Sequence, residues 1–581
     1  MTPRLGPAAL AGALLVAAWL RLGALAREGL WLDELFTVRV ATRPSWGELY
    51  AELARDVHPP LWFALLRLLP EGGDAGWRLP SALVGLLGVG LAALVARRLA
   101  GGGTYSERST LLAAGLCATA PGLVLLDREA RANAALSAAA LALVALVLRP
   151  PPPRWRWTLG ILAAALVNLH PFGILVVVAV AASLFVDPGD GTQLSRRGGV
   201  ALVAVAAAAL VPWAATTLMG QAEHFAASPW YTAPPGDSLG WVLTELADNQ
   251  AGYLAIPALG LVLAARQEGP AERRGLVLVV VFSAALVLVP QAMSYGFAPV
   301  LRSRSALPLL PILLVAAALG LARAGRLGML LGGLACAAQL LGSWHATRVE
   351  TRMEQWREAA GYVEVHAAPG EPVLGNHPQL WRVYLADRIA VREVTDAGID
   401  AAPGAWLLLG HDLDAPRGVL PEVAEAAARP PGAEDFDAFG ARVRRVGPLS
   451  RELVLVVLDG GTGASQGTTA ALWGAGGVEA RSIRARGACA VEVRAHEDAA
   501  GAEPSRLRVR LFHGDTTLLD ETRDVSGAAI TTAAAPPVDT LGGDDSLRVQ
   551  VDFVNDAVVE GQDRNAYVDG VRLRCGTSGG G

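Results

Sequence analysis

The apolar residues of this chain crowd into long runs between about residue 8 and residue 345, and beyond Arg348 those runs stop. A helix needs roughly 20 consecutive apolar residues to cross the hydrocarbon core of a bilayer. Leu79–Ala96, Ala132–Leu148 and Gly275–Met293 approach that length with almost no charge. Runs separated by polar breaks predict helices near 7–26, 79–96, 110–126, 132–148, 157–169, 171–186, 198–218, 251–265, 275–293, 305–322 and 327–345. The fifth and sixth are separated only by Asn168-Leu169-His170-Pro171, so they form either a tight hairpin or one broken helix. The expected fold is therefore a polytopic α-helical membrane protein of about 11 transmembrane helices, followed by a soluble half. An odd number of spans puts the two termini on opposite sides.

Orientation follows from the basic residues, because short Arg-rich loops stay cytoplasmic. The chain has no lysine, so all 49 basic residues are arginines. With the N-terminus inside, the inner breaks contain Arg4, Arg97-Arg98 with Arg108, Arg149 with Arg154 and Arg156, Arg196-Arg197, Arg266 with Arg273-Arg274, and Arg323 with Arg326. Every inner break is thus basic, and the soluble half is expected outside the cytoplasm, on a bacterial-type inner (plasma) membrane. The first helix is interrupted by Arg21 and is followed by no clean small-residue cleavage site, so it reads as an anchor rather than a removable leader. A net charge of −5 argues against a nucleic-acid partner.

In the soluble half, Met353–His366 is amphipathic, Pro372–Leu374 is a short strand candidate, and Trp406–Gly410 and Leu453–Asp459 are continuous apolar runs. Alternating helices and buried strands predict a small α/β domain. Gly460–Ala471, dominated by Gly, Ser and Thr, reads as a linker. After it, Cys489–Arg494, Leu507–Phe512 and Leu547–Phe553 alternate with period two, which favours a β-sandwich. The expected division is a membrane domain at 1–348, an extracytoplasmic α/β domain at 349–460, a linker at 461–474 and a β-sandwich at 475–581. Cys117 and Cys336 fall inside spans, whereas Cys489 and Cys575 lie near the two ends of the sandwich, where a disulfide suits an oxidising compartment.

The loop after the first helix carries the residues of most chemical interest. It contains Leu30-Trp31-Leu32-Asp33-Glu34-Leu35-Phe36 and then Asp56-Val57-His58-Pro59-Pro60-Leu61-Trp62-Phe63. Ionisable groups near the membrane rim cost several kcal/mol unless paired or solvated, so adjacent carboxylates there either decorate an interfacial loop or mark a site. The combination resembles the lipid-linked-sugar glycosyltransferases, a family that includes protein O-mannosyltransferases and the lipid A aminoarabinose transferase. In that family an Asp-Glu pair in the first outer loop is followed by a His-Pro-Pro or Lys-Pro-Pro motif and an aromatic pair. The resemblance continues at Asp127-Arg128-Glu129-Ala130-Arg131, at Asn168-Leu169-His170-Pro171-Phe172-Gly173, at Arg302-Ser303-Arg304 and at Glu354-Gln355-Trp356-Arg357-Glu358-Ala359-Ala360, and covers roughly residues 10–458. Asn133 and Ala134 stand where a tyrosine often follows the charged turn.

The resemblance implies a GT-C-like fold and transfer of a monosaccharide, with inversion, from a polyprenyl-phosphate donor to a glycan, a lipid-linked glycan or a protein. Such a transfer needs a base for the acceptor's proton and cations for the departing phosphate. Asp33 is the expected base and Glu34 the neighbour that holds the acceptor or tunes it. Arg302 or Arg304 is the expected phosphate partner, with His58, Asp127, Arg128 and Arg131 lining the same cavity. The alternative for Asp127, Arg128 and Arg131 is a self-satisfied ion-pair cluster closing the turn. His58 and His170 with a carboxylate such as Glu34 would also suit a divalent metal, although no close ligand spacing marks one.

Near the C-terminus, Val551-Asp552-Phe553-Val554-Asn555-Asp556 and Gly561-Gln562-Asp563-Arg564-Asn565-Ala566-Tyr567-Val568-Asp569 resemble the last strands of calcium-dependent xylan-binding carbohydrate-binding modules, with Ala566 in place of a leucine. That resemblance implies calcium held by oxygen ligands, with Asp556 and Asp563 as first candidates and Asn565, Tyr567 and Asp569 as further ligands or structural residues. Two competing readings of the whole are a transporter or flippase of lipid-linked sugar, and a glycan-binding surface scaffold without catalysis. The first predicts ionisable residues near the midplane and an internal repeat, whereas the charges here gather at the rim; the retained Asp33-Glu34 pair speaks against the second.

Overall fold

The structure, a computed structural model, describes the chain from Leu5 to Gly576 except for 187–193, 228–237, 297–300, 395–404, 414–425, 429–434, 482–486, 539–546 and shorter gaps, one of which is Arg302. The chain divides into two compact units, Met1–Arg352 and Met353–Gly581.

The first unit is helical, and each of the eleven expected stretches is helix over most of its length. Among the described residues, four helices are long and apolar enough to cross a membrane: Gly73–Ala100, Arg196–Thr217, Pro270–Tyr295 and Gly325–Arg348. A fifth span forms if Gly103–Thr119 and Pro121–Asp127, which meet at 59°, are taken together. The bend has a local cause: Pro121 leaves Ala120 extended and lacks the amide that would continue the ladder. Leu309–Arg323 is buried on every side from Leu309 to Ala322, which puts it at the centre of the unit. It reaches its neighbour through glycines, since a Cβ on Gly320 would sit 1.9 Å from the carbonyl of Gly260. Small residues at such a crossing let two apolar helices meet backbone to backbone. The arginine-rich breaks meet one another: Arg323 ion-pairs Glu272 and covers the ring of Tyr105, whose hydroxyl also donates to Glu272, while Arg98 caps the carbonyl of Ala145.

Before Gly73–Ala100 come three short helices, Leu32–Ala41, Trp46–Leu53 and Leu61–Arg67. Ser45 caps the second by accepting from the amide of Glu48. Val40, Leu49, Leu53 and Phe63 close over one another beneath them, and Glu52 holds Arg39 and Arg43 across the group.

In the second unit a mixed sheet runs Val391–Glu393, Val373–Gly375, Ala405–Gly410, Ala441–Val446, Phe436–Ala438, the first three parallel and the rest antiparallel. Trp356–His366 and Pro378–Leu385 are its described helices, and Trp356 and Trp381 pack with ring centroids 4.3 Å apart. Two further sheets share one apolar core. One runs Thr516–Val525, Ser505–His513, Leu547–Phe553, Gly476–Arg481, Val456–Val457; the other runs Ala529–Val538, Gly487–Asp498, Asn565–Gly576, Thr469–Leu472, Gly463–Gln466. The stretch expected to be a linker is therefore a hairpin of the second sheet, with Ala470 and Leu472 in the shared core. The apolar run expected to end the α/β domain belongs here too: Val456–Val457 pairs with Gly476–Arg481, and Leu449–Glu452 pairs with the last long strand. The register also sets Cys489 directly across from Cys575 on neighbouring antiparallel strands.

Candidate active site

Asp33 and Glu34 occupy the first turn of Leu32–Ala41, where carboxylates favour the positive end of a helix. Their side chains part company there. Glu34 is fully buried; its carboxylate takes the Arg78 guanidinium in a two-point contact and accepts from the amides of Ala130 at 2.7 Å and Trp31 at 3.3 Å. Arg78 spends its other donors on the carbonyls of Leu25, Glu28 and Gly29. One buried ion pair thus ties the first loop, the turn at residues 128–132 and the helix Gly73–Ala100 into a frame. Glu34 is expected either to hold the acceptor or to tune Asp33; here its oxygens are committed inside this frame, because a buried carboxylate is held only by partners that saturate it.

Asp33, by contrast, is 30% exposed. Its carboxylate accepts from Arg304 Nη1 at 2.9 Å, and Arg131 Nη2 stands 3.7 Å away. Arg304 lies with its guanidinium carbon 4.4 Å from the centre of the Trp31 ring and with Nη2 4.0 Å from Glu129. The Trp31 indole nitrogen is buried with no hydrogen-bond partner among the described residues. Glu129 is buried and is anchored by Asn133 Nδ2 at 3.2 Å. Burial pushes its carboxyl up to about 7, against the opposing pull of Arg304. Near neutral pH Glu129 is therefore only partly ionised, and Arg304 keeps Asp33 as its hydrogen-bonded counter-ion. Glu129 belongs to the charged turn legible in the sequence, but singling it out required the fold to bring Arg304 beside it.

Arg131 connects this group to a pocket. It donates to the backbone oxygen of Asp33 at 3.2 Å, to Thr37 Oγ1 at 3.3 Å and to His58 Nε2 at 2.8 Å. With Nε2 accepting from a guanidinium, His58 carries its proton on Nδ1 and donates it to Asp56 Oδ2 at 2.8 Å. His170 stands across from His58, ring centroids 6.2 Å apart, and accepts on Nδ1 from the amide of Phe172. Burial, with His58 and Arg131 nearby, pulls His170 down to about 3, so its ring is neutral.

The other expected cavity residues fall elsewhere. Asp127 is buried against Arg21, 2.8 Å away, and presses on the helix carrying Gly85, where a Cβ would meet its carboxylate. The Arg21 that interrupts the first apolar run is there to pair with it, which is the self-satisfied arrangement and removes Asp127 from the cavity. Arg128 donates to the carbonyls of Leu20, Arg21, Gly23 and Ala24, capping the end of Leu5–Leu22. Arg302 lies outside the described residues. The expected metal centre at the membrane rim is not assembled, since both His58 nitrogens and all of Glu34 are committed, and no three His, Cys, Asp or Glu side chains converge among the described residues.

At the C-terminal candidate set, Asn565 Oδ1 is buried with no partner among the described residues, while Asp556 and Asp563 are exposed. An orphaned amide oxygen is one of the ligands a hard cation accepts. Asp569 leaves the set. It lies four residues along the same strand, about 13 Å at the usual rise, and is held by His496 Nδ1 at 2.8 Å in a group with Tyr567.

No protein-family model matches this chain, and no curated protein matches it. Among solved structures it is similar to ArnT from Cupriavidus metallidurans bound to undecaprenyl phosphate, at 13% identity and a TM-score of 0.48, over 76% of this chain and 98% of that one. It is also similar to the arabinofuranosyltransferase AftD from Mycobacteria, at 14% identity and a TM-score of 0.43, over 100% of this chain and 59% of that one. Over 22% of this chain and 99% of the other, it is similar to the CBM36-1 domain of a multidomain xylanase from the hindgut metagenome of Trinervitermes trinervoides, at 18% identity and a TM-score of 0.15.

Proposed function

We propose that this protein transfers a monosaccharide from a polyprenyl-phosphate donor to a glycan, lipid-linked glycan or protein acceptor outside the cytoplasm. The observation that carries the reading is Asp33, a partly exposed carboxylate held between two guanidiniums, those of Arg304 and Arg131. One accessible base among cations is what direct displacement needs. The acceptor's hydroxyl or amine gives its proton to Asp33 as its heteroatom bonds to the anomeric carbon. The bond from that carbon to the phosphate oxygen breaks, and the phosphate leaves with the electron pair, stabilised by Arg304 and Arg131. Arginine suits this task because its fork matches phosphate oxygens and its charge does not titrate away. Arrival of the phosphate draws Arg304 from Asp33, and the carboxylate becomes free to act as base. A single displacement inverts the anomeric centre. Glu34 and Arg78 position the helix that carries Asp33 and touch neither reactant.

The meeting of the arginine-rich breaks with one another supports a cytoplasmic face for them, hence an inner-membrane protein with its soluble half outside. The last sheets would then present a glycan-binding surface, with calcium on Asn565 Oδ1, Asp556 and Asp563. The test of the reaction is transfer of radiolabelled sugar from a set of polyprenyl-phosphate monosaccharides by purified protein. Asp33→Asn should lower transfer by at least about 10²-fold, and Arg304→Ala by roughly 10- to 100-fold through the phosphate. Asp33→Asn protein that transfers like wild type would overturn the assignment of the base.

A further inference from the structure

The two arginines that flank Asp33 are held in different ways. Arg304 is the more exposed, at 42% of its side chain against 12% for Arg131, and it ion-pairs with Asp33 and Glu129. Arg131 is fixed by neutral acceptors. Its Nη1 donates to the backbone oxygen of Asp33 at 3.2 Å and to Thr37 Oγ1 at 3.3 Å, and its Nη2 donates to His58 Nε2 at 2.8 Å. Each terminal nitrogen of a guanidinium carries a pair of hydrogens, so Nη1 is filled and Nη2 keeps one, with Asp33 Oδ2 3.7 Å from it. Resting on the transfer proposed above, we infer that Asp56 and His58 are a positioning pair. Asp56 holds the proton on His58 Nδ1, the bare Nε2 grips Arg131, and Arg131 thereby offers its remaining Nη2 hydrogen to the departing phosphate.

The donors and acceptors allow one assignment. A guanidinium only donates, so the contact at Nε2 requires a neutral imidazole with its proton on Nδ1. Asp56 selects that tautomer: its Oδ2 is 2.8 Å from Nδ1 and accepts from the His58 amide at 3.4 Å. Phe63 and His170 meet the ring edge to face, with centroids 6.3 and 6.2 Å away. In this state His58 has no hydrogen left for a phosphate, so it acts through Arg131 and touches neither reactant. A neutral acceptor also fixes the guanidinium without cancelling its charge, which a carboxylate in its place would do, and the charge is what the leaving group needs.

Protonation undoes the arrangement. The titratable or charged groups facing His58 are Asp56 from its own segment, Arg131 from the turn at 128–132 and His170 from the end of Trp157–Leu169, with Arg39 of Leu32–Ala41 acting on Asp56. The imidazole is 22% exposed, so protons reach it. A second proton on the ring sets a cation against Arg131 and removes the acceptor, and Arg131 is released as pH falls.

The experiment measures kcat and KM for transfer by the purified full-length protein from undecaprenyl-phosphate-linked pentose or hexose, whichever the wild type uses, between about pH 7.5 and about pH 5.5. His58→Ala should lower kcat about 10- to 100-fold with a smaller change in KM, because Arg304 remains to bind the lipid phosphate. In His58→Gln the Oε1 stands as many bonds from Cα as Nε2 does and accepts without titrating. This variant should recover most of the loss and keep a larger share of its activity at the acid end than wild type does. Asp33 and Glu129 are present in both proteins, so the difference between the two profiles reports His58. His58→Lys, which puts a cation beside Arg131, should be as impaired as His58→Ala. Asp56→Ala should lower kcat several-fold in the wild-type background and little in the His58→Gln background, since an amide oxygen needs no partner to fix its tautomer. Equal losses in His58→Gln and His58→Ala, recovery by His58→Lys, or one pH profile shared by wild type and His58→Gln overturns the pairing and leaves the transfer reading standing. Should His58→Ala fail to fold, equal costs of Asp56→Ala in the two backgrounds overturn it instead. Wild-type protein that transfers from no donor overturns the transfer reading and this inference with it.

Discussion

Glu129 is the residue whose environment most directly sets the charge of the site. Its carboxyl sits at about 7 because burial disfavours the anion more than Arg304, 4.0 Å away, favours it. A carboxyl raised in the folded state from an ordinary 4.5 gives stability that is complete below about 4.5 and is lost as pH rises through 7. At about 1.4 kcal/mol per pH unit the whole effect is on the order of 3 kcal/mol. Glu129→Gln should therefore flatten the fall in melting temperature between about pH 5 and pH 7.5. Melts of wild type and variant in parallel buffers check this, and identical slopes would show that Glu129 does not titrate in that window. In the unsubstituted protein its neutral form loosens the hold on Arg304, which favours an incoming phosphate.

At the scale of elements, the first loop is held by one buried pair rather than by its own helices. Leu32–Ala41, Trp46–Leu53 and Leu61–Arg67 are each ten residues or shorter, too short to persist alone in water. Glu34 and Arg78 join the first of them to Gly73–Ala100, to the 25–29 segment and to the turn at Ala130. Removing one member of a buried pair costs about 3–5 kcal/mol, because its partner is left charged and dry. Glu34→Ala and Arg78→Ala should each destabilise by that order, and the double variant by less than the sum; a double-mutant cycle of melting free energies decides it. Additive losses would mean the two side chains do not act as a pair. This frame shows where the sequence stops being informative. The apolar runs are legible because a bilayer demands unbroken stretches, and Asp33 is legible because its motif is local. The partner of Glu34 is 44 positions away, at the edge of a run where an arginine reads as an ordinary flank. Asp127 likewise looked like a rim residue until Arg21, distant in sequence, was found against it.

At the scale of the whole molecule, the same limit explains the misplaced boundary before the sandwich. Gly460–Ala471 has a linker's composition, but strand formation depends on cross-strand neighbours more than on intrinsic preference, and those neighbours lie about 100 residues on, at Ala566–Val568. Only residues 447 and 448 separate Ala441–Val446, in the mixed sheet, from Leu449–Glu452, which pairs with Arg572–Cys575. The sandwich therefore begins at Leu449. A fragment beginning at residue 475 would lack four strands and would take Leu455, Ala470 and Leu472 out of the shared core. Each buried leucine contributes about 1.5–3 kcal/mol, so the loss is a large part of the 5–15 kcal/mol typical of a domain, and the last long strand would gain an open edge. A fragment of residues 449–581 is accordingly expected to melt cooperatively, and one of residues 475–581 to aggregate or to give no cooperative transition. Calcium should raise the melting temperature of the longer fragment, and Asp563→Asn should reduce that rise if the orphaned Asn565 oxygen and the Asp563 carboxylate share the ion. Equal, cooperative melting of both fragments would show that the strands before residue 475 are dispensable and return the boundary to where composition put it.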